Sequence, residues 1–397
     1  MTETKMPRGS TKDLSVGLLL PCLLTGGTEV VTLETANSLH ALGYSVEVVV
    51  YFDEIDATML ASFRATGLTV HLLGVQRGSS FLSHWRLALA LWAALRRRRF
   101  DAIWVQYMTP TLLPLAIARL CTRRLIAAVH VVASHYSPAG LQRLRWLTRH
   151  VCNRIVCVSH TVANGIFGPE GCEERNGGRV RVLPNALALC AVQAAEALHW
   201  RAHAGWPADV VVLGFAGRLT HFKGVDFLLR AVARLHGQGM PVRLAVVGDG
   251  EDGVKLQALA QQLGISAITC FAGRISRAEI YGAIKGFDIA VMPSRGGLEG
   301  FGLSALEAMA AGVPVVASRV DALQEVVVDG ATGRLCPSED AAALADGLVR
   351  LVTDSELRKT MGAAGTAHVA RLYDTPVYRE NLAELMAGLG LPVRRHV

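Results

Sequence analysis

Two glutamates, Glu299 and Glu307, flank the start of a predicted helix. The apolar run Ile289–Met292 predicts a buried strand, and Leu303–Ala311 has the composition and spacing of a helix with one face in a core. Glu299 therefore falls in the loop between these elements, and Glu307 falls about one turn inside the helix. Carboxylates do not bind phosphate, so we expect both to bind hydroxyl groups.

The loop between the two glutamates contains Gly300, Phe301, Gly302 and Leu303. Its glycines leave the backbone bare where the first N–H groups of the helix point outward, which suits a diphosphate. N–H groups for phosphate, with acceptors for sugar hydroxyls on either side, predict a nucleotide-sugar pocket. The plainer interpretation is a surface loop with one acid favoured by the helix dipole and another on a solvated face.

A second loop contains two cations, Arg218 and Lys223. It follows the strand-like run Val210–Leu213 and precedes the helical segment Val225–Leu235, so it lies at the carboxyl end of a strand, where open α/β sheets bind ligands. A forked guanidinium and an ammonium could hold a diphosphate and neutralise a leaving group. The alternative is a pair of solvated surface cations.

The two loops together resemble those of the retaining glycosyltransferases of family 4. The Glu-x-Phe-Gly-x4-Glu box of that family matches Glu299, Phe301, Gly302 and Glu307. Its Gly-Arg-Leu…Lys-Gly box matches Gly217, Arg218, Leu219, Lys223 and Gly224. The resemblance extends over roughly residues 14 to 375, and it implies the α/β GT-B fold, in which two Rossmann-like, doubly wound domains face one another across a cleft.

The chain alternates strands and helices twice, and its 397 residues predict about two domains. In the first half we predict strands at Ser15–Pro21, Val46–Tyr51, Val70–Leu73, Ala102–Tyr107, Leu125–Val132 and Arg154–Val158. In the second half we predict strands at Val210–Leu213, Arg243–Val247, Ile268–Phe271, Ile289–Met292 and Pro314–Ala317. With the resemblance, this predicts an acceptor-side domain at 14–190, a nucleotide-sugar domain at 208–375 and a final helix at 376–397 that returns to the first domain.

The resemblance places four further residues at the site. Gly26 and Gly27 match a loop whose backbone closes over the donor diphosphate, although a helix-initiating turn explains them equally simply. His130 matches a histidine that points at the transferred sugar or positions the acceptor, and a structural histidine at a strand end is the alternative. Ile275 lies where family members contact the nucleotide base with main-chain groups.

The net positive charge of the chain comes from its first half. Residues 1–200 contain 20 Lys and Arg against 13 Asp and Glu, whereas residues 201–397 contain 20 of each. Arg143, Arg145 and Arg149 are interleaved with leucines and Trp146, a pattern that suits an anionic membrane surface. The alternative is that the leucines face the core and the arginines are solvated. Nucleic acid is not an expected partner, because no recognised nucleic-acid module accompanies the arginines.

Composition also bears on compartment and cysteine chemistry. No apolar run is long enough to span a bilayer, and the polar segment Thr2–Lys12 is unlike a signal peptide. We therefore expect a cytoplasmic protein, with peripheral contact at the cytoplasmic face of the membrane as a further expectation. The eight cysteines show no CxxC pair or zinc spacing, which predicts reduced thiols in packed surroundings.

The segment Gly248–Gly253 satisfies the G-x-G-x-x-G pattern after a predicted strand, so an NAD-dependent oxidoreductase is an alternative. Against it, three carboxylates in this segment would approach a pyrophosphate. There is no P-loop, H-E-x-x-H motif or nucleophile elbow, and no Asp-x-Asp pair that would hold a metal at a sugar diphosphate. We expect no cofactor and no metal.

The predicted function follows from these residues and the resemblance. We expect a retaining transferase that moves a sugar from a UDP-, GDP- or other nucleoside-diphosphate sugar to a glycan or lipid-linked acceptor of the cell envelope. Arg218 and Lys223 would assist departure of the diphosphate, Glu299 would bind the sugar, and Glu307 would bind the ribose. The second alternative is a GT-B-like nucleotide-binding protein without transferase activity.

Overall fold

The computed structural model describes residues 14–24, 26–107, 112–168 and 178–391. Seven strands form the first sheet, in the order β3-β2-β1-β4-β5-β6-β7. These strands are β1 (Ser15–Leu20), β2 (Ser45–Phe52), β3 (Thr69–Val75), β4 (Ala102–Tyr107), β5 (Leu125–Val129), β6 (Arg154–Cys157) and β7 (Val180–Val182). β1 pairs in parallel with β2 and with β4, and β2 pairs in parallel with β3.

Helices alternate with these strands, as a doubly wound sheet requires. They are α1 (Gly27–Ala41), α2 (Ala57–Ala65), α3 (Phe81–Arg98), α4 (Leu112–Cys121), α5 (Pro138–His150), α6 (His160–Phe167), α7 (Leu189–Ala194) and α8 (Trp200–His203). Local polar residues start several of them. Asp56, for example, accepts the N–H groups of Thr58 and Met59 at the start of α2.

Six strands form the second sheet, in the order β10-β9-β8-β11-β12-β13. These strands are β8 (Val211–Ala216), β9 (Val242–Val247), β10 (Thr269–Gly273), β11 (Ile289–Met292), β12 (Val315–Ser318) and β13 (Gly333–Cys336). All five neighbouring pairs are parallel. The central strands β8, β11 and β12 are buried along their whole length, which is why their sequences are continuously apolar.

The helices of the second half cover this sheet and continue to the end of the chain. They are α9 (Val225–Gly237), α10 (Gly253–Gln262), α11 (Arg277–Lys285), α12 (Leu303–Ala310), α13 (Leu323–Val326), α14 (Ala341–Thr353), α15 (Ser355–Leu372) and α16 (Thr375–Ala387). The core of this half joins strand residues such as Leu213 and Val246 to Leu228 of α9 and Leu348 of α14.

The chain divides into two compact units that do not follow its halves strictly. The first unit contains the described residues up to Ala128, the segment Leu147–Ile155 and the residues from Arg379 onward. The second contains Val129–Trp146 and Val156–Tyr378. Within the first unit, Arg124 holds the segment that follows α16, since its Nε donates to Leu389 O at 2.9 Å.

The predicted strands are present, and apart from β4 and β11 their ends differ from the predicted ones by one to three residues. β5 ends at Val129, before the predicted end at Val132, because the chain leaves the sheet and forms a 3-10 turn at Ala133–His135. α1 begins at Gly27, so this glycine lies in a helix rather than in the predicted loop. β13 was not predicted, because it is only four residues long and Arg334 interrupts its apolar pattern.

The seven cysteines within the described residues are all free, and those at positions 22, 152, 157 and 336 are buried. Burial raises the pKa of Cys22 to about 11 and that of Cys152 to about 12, so both are thiols at neutral pH. Across the described part of the chain, no helix has the length and apolar content to cross a bilayer. In the same part, no group of three His, Cys, Asp or Glu side chains is placed to hold a metal ion.

Candidate functional site

The strand order of the second sheet reverses between β8 and β11, which are neighbours although they are far apart in sequence. In open α/β sheets, the loops that leave the carboxyl ends of such strands form the ligand site. Here these loops are residues 217–224 and 293–302. They contain six of the twelve predicted site residues, and all residues of both loops belong to the second unit.

Lys223 and Glu299, one from each loop, form an ion pair. Lys223 Nζ lies 2.7 Å from Glu299 Oε2, and the two side chains are 19% and 11% exposed. Ser294 Oγ donates a hydrogen bond to the same carboxylate oxygen at 3.1 Å. Neither bond uses Oε1, so Glu299 can accept from a ligand hydroxyl while it remains paired with Lys223.

Arg218 lies at the surface of the first loop, near Lys223. Its guanidinium carbon is 5.9 Å from the centre of the Phe222 ring, and Lys223 Nζ is 5.0 Å from the same ring centre. Cations are attracted to an aromatic face at such distances. The structure therefore brings both predicted cations to one ring, and sequence reasoning did not identify Phe222.

Gly224 allows the two loops to approach closely. Its φ is +65°, and a Cβ at this position would lie 2.0 Å from the carbonyl oxygen of Pro293. Any other residue would both strain the backbone and collide with that carbonyl. The glycine therefore holds the start of α9, and with it Lys223, against the loop that carries Glu299.

Arg295 fastens the two loops together. Its two terminal nitrogens donate to the carboxylate of Asp226 in α9 at 3.0 and 2.9 Å. Its backbone N–H donates to Phe222 O at 2.7 Å, and its guanidinium carbon lies 4.5 Å from the centre of the Phe227 ring. Sequence reasoning missed Arg295. The signal available was a single arginine in a glycine-rich loop, with an aspartate in the first turn of α9 as its partner.

Asp321 fixes the backbone around Glu299. One oxygen, Oδ2, accepts the N–H groups of Gly297, Leu298 and Glu299 at 2.7, 3.1 and 3.1 Å. The φ of Asp321 is +42°, which is uncommon for a residue other than glycine and is tolerated best by Asn and Asp. This positioning residue was also missed, because it lies beyond the predicted motif, after β12.

The loop that follows Glu299 packs against His130 and Ser159. A Cβ on Gly300 would lie 2.0 Å from His130 O, and Ser159 Oγ donates to Gly300 O at 2.8 Å. His130 directly follows β5, and burial lowers its pKa to about 4, so its imidazole is neutral at neutral pH. The structure thus places the backbone of His130 beside the glycine loop, and the contact of its imidazole with a sugar or acceptor stays a prediction.

The remaining predicted residues of this loop lead into α12. Gly302 has a φ of +94° and precedes the helix, and Phe301 is buried with its ring centre 5.7 Å from that of Tyr373. The N–H groups of residues 300–304 have no acceptor among the described residues. Leu303 begins the helix, and Glu307 is buried on its second turn. The loop therefore leaves several N–H donors unused within the described residues, and their contact with a ligand stays a prediction.

Three predicted residues are not brought to this cluster by any described contact. Gly26 and Gly27 belong to the first unit, where Gly26 precedes α1 and a Cβ on it would lie 2.7 Å from the Glu29 carboxylate. Ile275 follows β10, the edge strand of the second sheet, and is half-buried. The structure shows the helix-initiating role of the two glycines, and their contact with a donor stays a prediction.

The G-x-G-x-x-G segment has a structural explanation. Gly248 has a φ of +129°, and a Cβ on it would lie 1.9 Å from Gly217 O. The Gly248 N–H donates to Gly273 O at 2.8 Å, and the Asp252 N–H donates to Leu219 O at 3.0 Å. The glycines thus permit close packing against the 217–224 loop, and these two N–H groups are already used within the protein.

The chain is similar to known glycosyltransferases in sequence. Residues 198–368 match the family model of glycosyl transferases group 1, and residues 25–189 match that of glycosyltransferase family 4. The D-inositol 3-phosphate glycosyltransferase of Corynebacterium jeikeium is 40% identical over 178 residues, which are 43% of this chain and 42% of that protein. The phosphatidyl-myo-inositol mannosyltransferase of Mycobacterium leprae is 37% identical over 196 residues, 49% of this chain and 50% of that protein.

The alignments thus span about half the length of these curated relatives or less. Among solved structures, Anabaena Alr3699/HepE in complex with UDP superposes with a TM-score of 0.78 at 20% identity, over 94% of this chain and all of that one. This likeness confirms the predicted GT-B fold, with its two parallel sheets. Since the two family models together match most of its length, the chain belongs to the group 1 glycosyltransferases of family 4.

Proposed function

We propose that this protein transfers a sugar from a nucleoside-diphosphate sugar to a glycan or lipid-linked acceptor of the cell envelope, with retention of anomeric configuration. The observation that carries the proposal is the Lys223–Glu299 pair, which lies beside a loop with unused N–H groups at the switch point of the second sheet. Positive charge, N–H donors and a carboxylate acceptor are together the groups that a sugar diphosphate needs.

In this proposal each group acts on one part of the donor. Lys223 and Arg218 neutralise the charge that grows on the diphosphate as the glycosidic bond breaks, because electrostatic stabilisation of that charge lowers the barrier. The N–H groups of residues 300–303 bind sugar or phosphate oxygens. Glu299 accepts from hydroxyls of the transferred sugar, and its ion pair with Lys223 holds its carboxylate in one orientation.

The buried Glu307 would bind the ribose, and main-chain groups near Ile275 would meet the base. Neutral His130 would donate one hydrogen bond to a sugar or acceptor hydroxyl, a role that its low pKa supports, because a neutral imidazole offers one N–H donor without adding positive charge. We assign no covalent nucleophile. We also propose that the reaction needs neither an organic cofactor nor a divalent metal, since the two cations supply the positive charge.

The names of similar proteins support the donor and acceptor classes. Alr3699/HepE binds UDP, and one curated relative is named as a mannosyltransferase that acts on phosphatidyl-myo-inositol. By analogy we propose a nucleoside-diphosphate hexose as donor and a polyol, glycan or lipid-linked hydroxyl as acceptor.

The test is a screen of the purified protein against UDP-, GDP-, ADP- and dTDP-sugars, with NAD(H) as control. We expect one nucleotide class to raise the melting temperature and its sugar to be hydrolysed slowly. NMR of an acceptor product should show the anomeric configuration of the donor. Stabilisation without hydrolysis or transfer would instead assign a nucleotide-binding protein, and stabilisation by NAD(H) alone would contradict the proposal.

A further inference from the structure

One face of α3 exposes apolar side chains to solvent. Phe81, Trp85, Leu89 and Trp92 follow one another at intervals of four, four and three residues, which places them along one side of the helix. They are between 40% and 78% exposed. We call these four residues the aromatic stripe. A helix on a globular domain normally turns polar residues to solvent, so this stripe reverses the expected pattern.

The core side of α3 is already occupied by other residues. Leu87, Leu91, Ala94 and Leu95 are buried, and they lie on the side of the helix opposite the stripe. The stripe therefore does not belong to the core of the first unit. Contiguous apolar side chains exposed to solvent are typical of sites that bind a protein, a ligand or a membrane.

The surroundings of the stripe are basic. The helix contains no Asp or Glu, and Arg86, Arg96 and Arg97 are exposed along it. The guanidinium carbon of Arg96 lies 5.0 Å from the centre of the Trp92 ring. Arg98, in contrast, faces the protein, where its Nε lies 3.2 Å from the carboxylate of Glu47. Three arginines are thus placed for an anionic partner.

The neighbouring helix extends this surface. α4 packs against α3 and exposes Leu120, and Arg123 follows it in an exposed position. Burial raises the pKa of Cys121, the last residue of α4, and the charge of Arg96 partly opposes that rise. The basic end of α3 therefore lies close to the exposed end of α4.

We propose that the aromatic stripe and the arginines beside it dock on an anionic lipid surface, with α3 lying in the plane of the membrane interface. Tryptophan is favoured at such interfaces, and arginine is attracted to lipid phosphates. A second copy of the chain is a poorer occupant, because two stripes in a symmetric contact would bring the arginines of both copies together. The proposal goes beyond the proposed function and does not depend on it.

This surface differs from the one that the sequence favoured. In α5, Leu144 and Leu147 are buried, so those leucines face the protein interior as the alternative interpretation expected. Trp146 of α5 is exposed, but it stands without an apolar stripe around it. It therefore provides a matched control for the tryptophans of α3.

The test is flotation of the full chain with vesicles that contain neither donor nor acceptor. One set is phosphatidylcholine alone and the other includes about 30% phosphatidylglycerol, to supply negative charge. We expect binding to the anionic vesicles only. Trp85→Ser/Trp92→Ser should lower the partition coefficient by about tenfold or more, whereas Trp146→Ser should leave it unchanged. Arg96→Glu/Arg97→Glu should lower it by at least about fivefold per position.

Several results would overturn the proposal. These are failure of the wild-type chain to float with anionic vesicles, and flotation of Trp85→Ser/Trp92→Ser equal to that of the wild type. A wild-type dimer that the same variant converts to a monomer, without vesicle binding, would assign the stripe to a second copy. Melting temperature and nucleotide-sugar hydrolysis, measured on the same preparations, separate loss of docking from loss of folding and from failure of the proposed function.

Discussion

Six strands have the same order in the two sheets, but the loops at the switch point of each sheet contain different residues. β3-β2-β1-β4-β5-β6 in the first sheet corresponds to β10-β9-β8-β11-β12-β13 in the second. In the second sheet the loops after β8 and β11 bring together Lys223 and Glu299. In the first sheet the chain after β1 holds Cys22, a thiol whose pKa burial raises to about 11, and the buried Glu29. Topology thus gives the place of a site, and the loop residues decide its chemistry.

The largest difference between the two sheets should be seen when a positive charge is removed from the loops at the switch point of the second sheet. Lys223→Ala should lower turnover by about 100-fold to 1000-fold, the usual loss for one group that stabilises developing charge. The measurement is initial rate with the donor found in the screen. Lys255→Ala removes an exposed lysine of α10 and should retain the wild-type rate. An unaltered rate in the Lys223 variant would remove Lys223 from the reaction.

Among the glycine substitutions considered, the one at Gly224, which packs against the Pro293 carbonyl, should lower the free energy of unfolding most. Gly224→Ala adds a Cβ about 2 Å from Pro293 O at a positive φ, and we expect a loss of roughly 3 kcal/mol or more in the free energy of unfolding. Gly239→Ala, also at a positive φ but with open space around it, should cost only about 1 kcal/mol. Gly26, in the first unit, has an extended backbone, but a Cβ there would lie 2.7 Å from the Glu29 carboxylate, so the cost of Gly26→Ala should fall between those of the other two variants. Urea unfolding of the three variants measures these differences, and equal losses would contradict the prediction.

The Arg295–Asp226 pair should matter more than a similar pair at the surface. Arg295 is largely buried, so Arg295→Gln leaves Asp226 without its bidentate partner and should cost about 2 kcal/mol of stability. The matched control is Arg319→Gln, whose partner Asp329 lies in an exposed pair and whose loss should cost at most about 1 kcal/mol. Both values come from urea unfolding. A cost for Arg295 no greater than that for Arg319 would show that the two loops are held by other contacts.

His130 makes a smaller, pH-dependent contribution. Burial lowers its pKa from the ordinary 6.5 to about 4 in the folded chain, so the unfolded chain binds a proton more readily. Its neutral form therefore contributes stability above about pH 6.5 that is lost as the pH falls toward 4. Because part of the residue is exposed, we expect about 1–2 kcal/mol from this group. Unfolding free energies of wild type and His130→Asn, compared at pH 7 and 4.5, should converge at the lower pH, and parallel curves would contradict this assignment.

Sequence patterns predicted most of the fold and the residues of the two loops. The apolar runs predicted both ends of β4 and of β11, because a strand that is buried on both faces has an uninterrupted apolar sequence. The contacts that hold the loops were not predictable, since Arg295 and Asp226 are 69 positions apart and meet only through packing of α9 against the sheet. The aromatic stripe was missed for a related reason, because an apolar helical spacing does not say which face is buried.

Asp321 determines which positions of the neighbouring loop can be substituted without changing its backbone. One carboxylate oxygen satisfies three successive N–H groups, so the shape of the 297–299 segment is set by a residue outside it rather than by the side chains within it. Leu298 is partly exposed, and a Cβ on Gly296 would meet only ordinary contacts at 3.6 Å. These two positions can therefore accept other residues, and such substitutions would change the surface that the loop presents to ligands. Position 321, in contrast, tolerates little beyond aspartate. The positions that can change and the residue that fixes the loop therefore lie in different parts of the sequence.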